Sequence, residues 1–189
     1  MDIDRFEHIL ADHKLWAESL GAKGTKADLI GCVSCKPCRI DDVNLFAAEL
    51  GDYKLSHFVM QNANFASAYL EEAKFIKTHL QNSDFRNANL RAASFNRANA
   101  ENAVFISAFA EGTNFAGANL KNADFSFCDI ENADFSFCDL ENANFAGARN
   151  VSRAKFHQAN LENVIFDAKH CETIQLLKYK ENKNGVQPV

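Results

Sequence analysis

The sequence lacks the surplus of positive charge on which phosphate-binding proteins rely. Its 20 Lys and Arg stand against 25 Asp and Glu, a net charge of −5, which argues against affinity drawn from nucleic-acid phosphates. No run of about 18 apolar residues occurs, so no membrane-spanning helix is expected. The N-terminus, Met1-Asp-Ile-Asp-Arg5, has neither a basic n-region nor an apolar h-region, and a soluble, cytoplasmic protein is expected. In that compartment the six Cys are expected as thiols rather than disulfides. Catalytic signatures are lacking too: there is no HExxH, no GxSxG and no phosphate-cradling glycine loop. His8, His13, His57, His79, His157 and His170 form no metal-ligand pair. No enzyme activity and no cofactor are expected.

What is present is apolar and periodic. Hydrophobic residues make up 47% of the 189, enough for a core, and 17 of them are Phe. From Ile40 to Leu140 every fifth residue is apolar, as in Leu70, Phe75, Leu80, Phe85, Leu90 and Phe95, and Phe145 extends the series. Two residues earlier the chain is usually Ala, giving a unit A-(D/N)-(L/F)-x-x. A period of five fits neither a helix at 3.6 nor a strand at 2. A repeating turn is the simplest alternative. If each unit makes one side of a square, the central Leu or Phe and the small residue point inward, and four units close a 20-residue coil. Coils about 4.8 Å apart then satisfy one another's backbone as in a parallel ladder. Phe recurs every ten residues from Phe65 to Phe145, which predicts Phe stacks on two opposite sides and aliphatic stacks on the other two.

Units such as Ala123-Asp-Phe-Ser-Phe127 and Ala118-Asn-Leu-Lys-Asn122 resemble the pentapeptide-repeat family over roughly residues 38–168. The resemblance implies an all-β solenoid, a right-handed quadrilateral parallel β-helix of about seven coils. The expected organisation is an N-terminal helical cap over 1–24, the β-helix over 25–168, a short C-terminal cap helix over 169–180 and a disordered tail over 181–189. In the cap, Ile3, Phe6, Ile9, Leu10, His13 and Trp16 share one helical face, Asp2 or Asp4 is the N-cap, and Gly21 ends the helix. Two irregularities stand out. The spacing from Phe145 to Phe156 is 11, so a one-residue insertion is expected near Asn150-Val151. Tyr53 and Phe58 fill slots that want Ala, which predicts a widened or open first coil.

Functional candidates are few. Cys32, Cys35 and Cys38 have C-x2-C-x2-C spacing, which suits zinc or an iron–sulfur cluster, but no fourth ligand lies nearby and buried thiols are the favoured reading. Residues 122–148 carry Asp124, Asp129, Glu131, Asp134, Asp139 and Glu141 and no Lys or Arg. This acidic band either faces a basic partner or only solvates the rod. Residues 40–150 hold 15 acids and 8 bases, whereas 151–189 hold 4 and 6. Phe109, with Val104 and Ile106, falls in outward slots and is a further partner candidate, and Phe127 and Phe137 are expected to fold back over corners. The leading expectation is a non-enzymatic scaffold for an unidentified protein partner. The family resemblance implies an alternative: a DNA mimic that binds DNA gyrase or topoisomerase IV and protects it from quinolones, as a monomer or a C-terminally joined homodimer. A Cys-based metal or redox sensor is the third alternative.

Overall fold

The computed structural model describes residues 3–19 and 39–170. Helix α1 spans Ile3–Glu18. From Arg39 onward the chain is a four-sided solenoid whose parallel bridges join residues 20 apart: Asn44 pairs with Asn64, Asn64 with Asp84, and so on to Asn144. The last step, Asn144 to Ile165, spans 21 residues, completing six rung-to-rung steps on this edge.

Backbone chemistry explains why the unit has five residues. In residues 63–67 the Ala63 N–H closes a turn on the Met60 carbonyl, and Asn64 donates to Val43 in the rung below. Phe65 and Ser67 donate to Asp84 and Arg86 in the rung above. Four of five N–H groups are thereby satisfied. The fifth, that of Ala66, donates to the side-chain Oδ1 of Asn64 at 3.0 Å. This Asx arrangement recurs along the rod and is the reason Asp or Asn often precedes the central residue. The chain turns each corner at the second residue after the centre, in the left-handed region. Asn tolerates this conformation, and Asn62, Asn82, Asn102, Asn122, Asn142 and Asn163 stack there with each Nδ2 donating to the Oδ1 of the residue one coil before. Asp42 closes the base of the ladder.

Four columns fill the bore. Side A is centred on Leu45, Phe65, Phe85, Phe105, Phe125, Phe145 and Phe166, and side C on Leu55, Phe75, Phe95, Phe115, Phe135 and Phe156. Between them, side B is centred on Leu50, Leu70, Leu90, Ala110, Ile130 and Val151, and side D on Ile40, Met60, Leu80, Ala100, Leu120, Leu140 and Leu161. The central rings at every tenth residue from Phe65 to Phe145 are fully buried. Rings one coil apart on a side stack at 4.6 to 5.2 Å, as Phe105 does on Phe125 and Phe135 on Phe156. Rings of opposite sides meet edge to face, as Phe125 and Phe135 do at 5.3 Å. Both geometries suit the quadrupole of an aromatic ring, so the ten-residue Phe rhythm is an interleaved aromatic core. In the small slot Thr78, Ser83, Thr113 and the Cys138 thiol donate to carbonyls in the coil before, those of Leu55, Met60, Leu90 and Phe115 respectively, whereas the Cys128 thiol faces the carbonyl of Asp129.

The expected insertion is a 3-10 turn, Val151–Arg153, entered through Asn150 at φ 60. Val151 is buried and keeps column B filled. The first coil departs from expectation. It is not widened, because the bridges Arg39–Val59, Asn44–Asn64, Glu49–Tyr69 and Lys54–Lys74 keep the 20-residue step while Tyr53 and Phe58 are buried. The turns take up the larger side chains: the Tyr53 and Phe58 N–H groups reach the Leu50 and Leu55 carbonyls at 3.3 and 3.4 Å, against 3.0 Å for Ala68 to Phe65. Ile9 and Leu10 of α1 are partly buried against the same core, and His13 is buried and stacked on Trp16 at 5.6 Å. Asp2, Gly21, residues 25–38 with their contribution to a seventh coil, nearly all of the expected 169–180 helix and the 181–189 tail lie outside the described residues.

Candidate protein interface

The six acids contiguous in sequence do not form one face. Residues 121–140 make a full turn of the rod, so Asp124, Asp129, Asp134 and Asp139 stand on sides A, B, C and D respectively, in the position that satisfies a turn N–H. Their Oδ1 atoms accept from the backbone of Ser126 (2.8 Å), Glu131 (3.3 Å), Ser136 (2.9 Å) and Glu141 (3.3 Å). Cations from adjoining coils neutralise most of them. Arg149 pairs with Asp129 at 3.4 Å, Arg153 with Glu131 and Lys155 with Asp134 at 3.9 Å. Lys121 lies 2.6 Å from Glu141 and 3.3 Å from Asp139, and Asp124 accepts from Asn144. Burial raises the pKa of the Asp134 carboxyl, but hydrogen bonds from Ser136 and the charge of Lys155 outweigh it and hold the group below the ordinary range.

Charge is sorted around the rod rather than only along it. Side B carries Glu49, Asp52, Glu71, Glu72, Glu111, Asp129 and Glu131 against Arg91, Arg149 and Arg153. Side C carries Lys54, Lys74, Lys77, Arg97 and Lys155 against Asp134. The linear sequence hides this because residues of one side are 20 apart.

Exposed aromatics concentrate on side B and the corner leading into it. Tyr69 and Phe109 share one column two bridges apart, through Asn89. Tyr69 is 42% exposed, Phe109 39% and Phe127 62%. Phe109 and Phe127 line an open groove of about 470 Å³ with Asn87, Ser107, Gly147 and Arg149. The Arg91 guanidinium lies 5.3 Å from the centre of the Phe109 ring while its Nη2 holds Glu111 at 2.9 Å. Two of these rings rest on glycine. A Cβ at Gly147 would fall 2.6 Å from the Phe127 ring, and one at Gly51 would fall 2.8 Å from Tyr69. Phe127 therefore lies over its corner as expected, yet remains mostly in solvent. Phe137, 58% exposed, meets only the edge of His157 among ring contacts of the described residues. Val104 and Ile106 are half-buried. Sequence reasoning found Phe109 and overlooked Tyr69 and Arg149. A search for aromatics at multiples of 20 would have paired Tyr69 with Phe109, which are 40 residues apart.

Burial pushes the thiols of Cys128 and Cys138 up, the latter to about 12. No group of His, Cys, Asp or Glu among the described residues is placed to hold a metal. Cys32, Cys35 and Cys38 lie outside them.

Residues 44–82 match the model for pentapeptide repeats in eight copies, and residues 78–149 match that for the pentapeptide repeat region. The chain belongs to the pentapeptide repeat family. The solenoid is accordingly the family's right-handed β-helix. Solved pentapeptide repeat proteins are among the structures it is similar to. HetL, involved in heterocyst differentiation regulation in the cyanobacterium Nostoc sp. strain PCC 7120, is 17% identical, with 67% of this chain and 86% of that one covered and a TM-score of 0.45. A protein of the Arabidopsis thaliana thylakoid lumen is 18% identical, with 69% and 74% covered and a TM-score of 0.34. A trypsin-treated form of QnrB1, a plasmid-mediated fluoroquinolone resistance protein, is 15% identical, with 82% and 100% covered and a TM-score of 0.43. No curated protein sequence matches the chain.

Proposed function

We propose that this pentapeptide repeat protein is a non-enzymatic, cytoplasmic scaffold, a rigid rod that binds a protein partner through one of its sides. In this reading α1 and the 169–180 segment cap the ends and leave the sides as the working surface. The observation supporting it is the set of exposed aromatics on one side and the corner leading into it, Tyr69, Phe109 and Phe127, on a rod whose core is already filled. Phe127 also occupies a left-handed corner, φ 58, where Asn or Gly is favoured. Neither the core nor the turn calls for Phe there. The test is affinity capture from the native cell with the folded rod. Stoichiometric retention of a protein supports the reading, and retention of none contradicts it.

A second reading, a mimic of duplex DNA that binds gyrase or topoisomerase IV, draws on side B and on side D, where Asp41, Asp42, Glu101, Asp139, Glu141 and Glu162 outnumber Arg39 and Lys121. The paired carboxylates and the basic side C weigh against it. Gyrase supercoiling in the presence of micromolar protein decides: inhibition, or relief of quinolone-stabilised cleavage, favours the mimic, and no effect removes it.

A further inference from the structure

We propose that side B docks a basic amphipathic α-helix of the partner protein, seating an apolar residue in the Phe109–Phe127 groove and an Arg or Lys against Tyr69. The proposal rests on the scaffold reading and names its surface and the chemistry it recognises.

Three observations carry it. The first is preorganisation: Phe127 and Tyr69 lie over Gly147 and Gly51, and Phe109 is flanked by the Arg91 guanidinium. Rings already held in place lose little freedom on binding, which is what makes an exposed aromatic an anchor. The second is the surroundings of Tyr69. Its hydroxyl donates to Glu71 at 2.8 Å. That bond, with the nearby charges of Glu71, Glu49 and Asp52, raises its pKa. An aromatic face set among carboxylates is a receptor for a guanidinium or ammonium group. The third is spacing. Tyr69 and Phe109 are two bridges apart, about 10 Å at about 4.8 Å per rung. Residues i and i+7 of a helix project from one face about 10.5 Å apart. Same-face residues of a strand come at about 6.7 or 13 Å and miss this interval. The excess of acids on side B gives the helix its sign.

The probe is a fluorescent synthetic helix with Leu at two positions four apart and Arg one and two heptads' reach further on the same stripe, titrated into the full chain by anisotropy. Phe127→Asn and Tyr69→Ala are each expected to weaken binding about tenfold or more. Phe127→Asn puts a residue suited to the left-handed corner in place of Phe, so the rod stays folded. Phe137→Asn, the same change on the corner after side C, is expected to leave binding unchanged. Glu in place of the peptide's Arg is expected to abolish it. Absence of binding to the wild-type rod, equal losses from Phe127→Asn and Phe137→Asn, or tolerance of Glu for Arg each overturn the proposal. If a partner captured from the native cell binds wild type, Phe127→Asn and Tyr69→Ala alike, the scaffold reading stands and this assignment falls.

Discussion

Removing the Phe125 ring tests the aromatic core where the rod is least able to adjust. The ring stacks on Phe105 at 4.6 Å and Phe145 at 4.9 Å and meets the edges of Phe115 at 5.5 Å and Phe135 at 5.3 Å. Collapse around Ala is blocked by the ladder, because Phe105 N–H to Asp124 and Phe125 N–H to Asn144, both 2.7 Å, hold the rungs at fixed separation. A cavity of about 100 Å³ left behind costs about 2.4 kcal/mol at about 24 cal/mol per Å³, and the lost transfer free energy adds about 2. Phe125→Ala is therefore expected to destabilise by about 4 to 5 kcal/mol. Phe125→Leu keeps much of the volume and is expected to cost about 1.5 kcal/mol or less. Phe166 is half-buried and touches only Phe145 and Phe156 among aromatic rings of the described residues, so Phe166→Ala is expected to cost about 2 kcal/mol. The assay is urea unfolding followed by circular dichroism, with Trp16 fluorescence as a second probe near α1. A cost below about 1.5 kcal/mol for Phe125→Ala, or one equal to that of Phe166→Ala, would refute the reasoning.

Other predictions follow from single contacts. Thr78→Val removes a buried 2.7 Å bond to the Leu55 carbonyl, whose turn partner Phe58 N–H is distant at 3.4 Å. Thr113→Val removes the same bond where Ala93 N–H still reaches Leu90 at 2.9 Å. Costs of about 1.5 and about 1 kcal/mol are expected from denaturant unfolding, and the reverse order would contradict this account. Because the folded pKa of Asp134 lies below its unfolded value, its contribution is present above about pH 4 and lost as pH falls through the folded pKa. The stability difference between wild type and Asp134→Asn should shrink on acidification below pH 4, and a constant difference would show that Asp134 contributes nothing. Thiol labelling with peptide mapping should leave Cys128 and Cys138 unmodified until the rod unfolds. Native-state labelling of either would contradict their burial.

The fold was legible because its rule is local. Every fifth residue fills the bore, Ala makes room beside it, and Asp or Asn satisfies the fifth N–H, so the unit can be read without long-range information. The insertion at Asn150-Val151 was legible for the same reason. Tyr53 and Phe58 misled because the turn lengthens slightly to bury a large side chain in the small slot while the 20-residue step is kept. The candidate site was much less legible. Asp124 to Glu141 look like a band only along the chain; folding distributes the four Asp over four sides and brings Arg149, Arg153 and Lys155 from the next coil to neutralise three of the six acids. The same geometry brings Tyr69, Arg91, Phe109, Phe127 and Arg149 together from five separated units. A linear scan sees each as an isolated surface residue.

Hydroxyl-radical footprinting of the rod, alone and bound to the partner recovered from its native cell, tests the central claim most directly. The account predicts that Tyr69, Phe109 and Phe127 are protected in the complex while Phe137, equally exposed on the far corner, is labelled as before. Protection centred on Phe137 or side C, with Tyr69 and Phe127 still labelled, would contradict it.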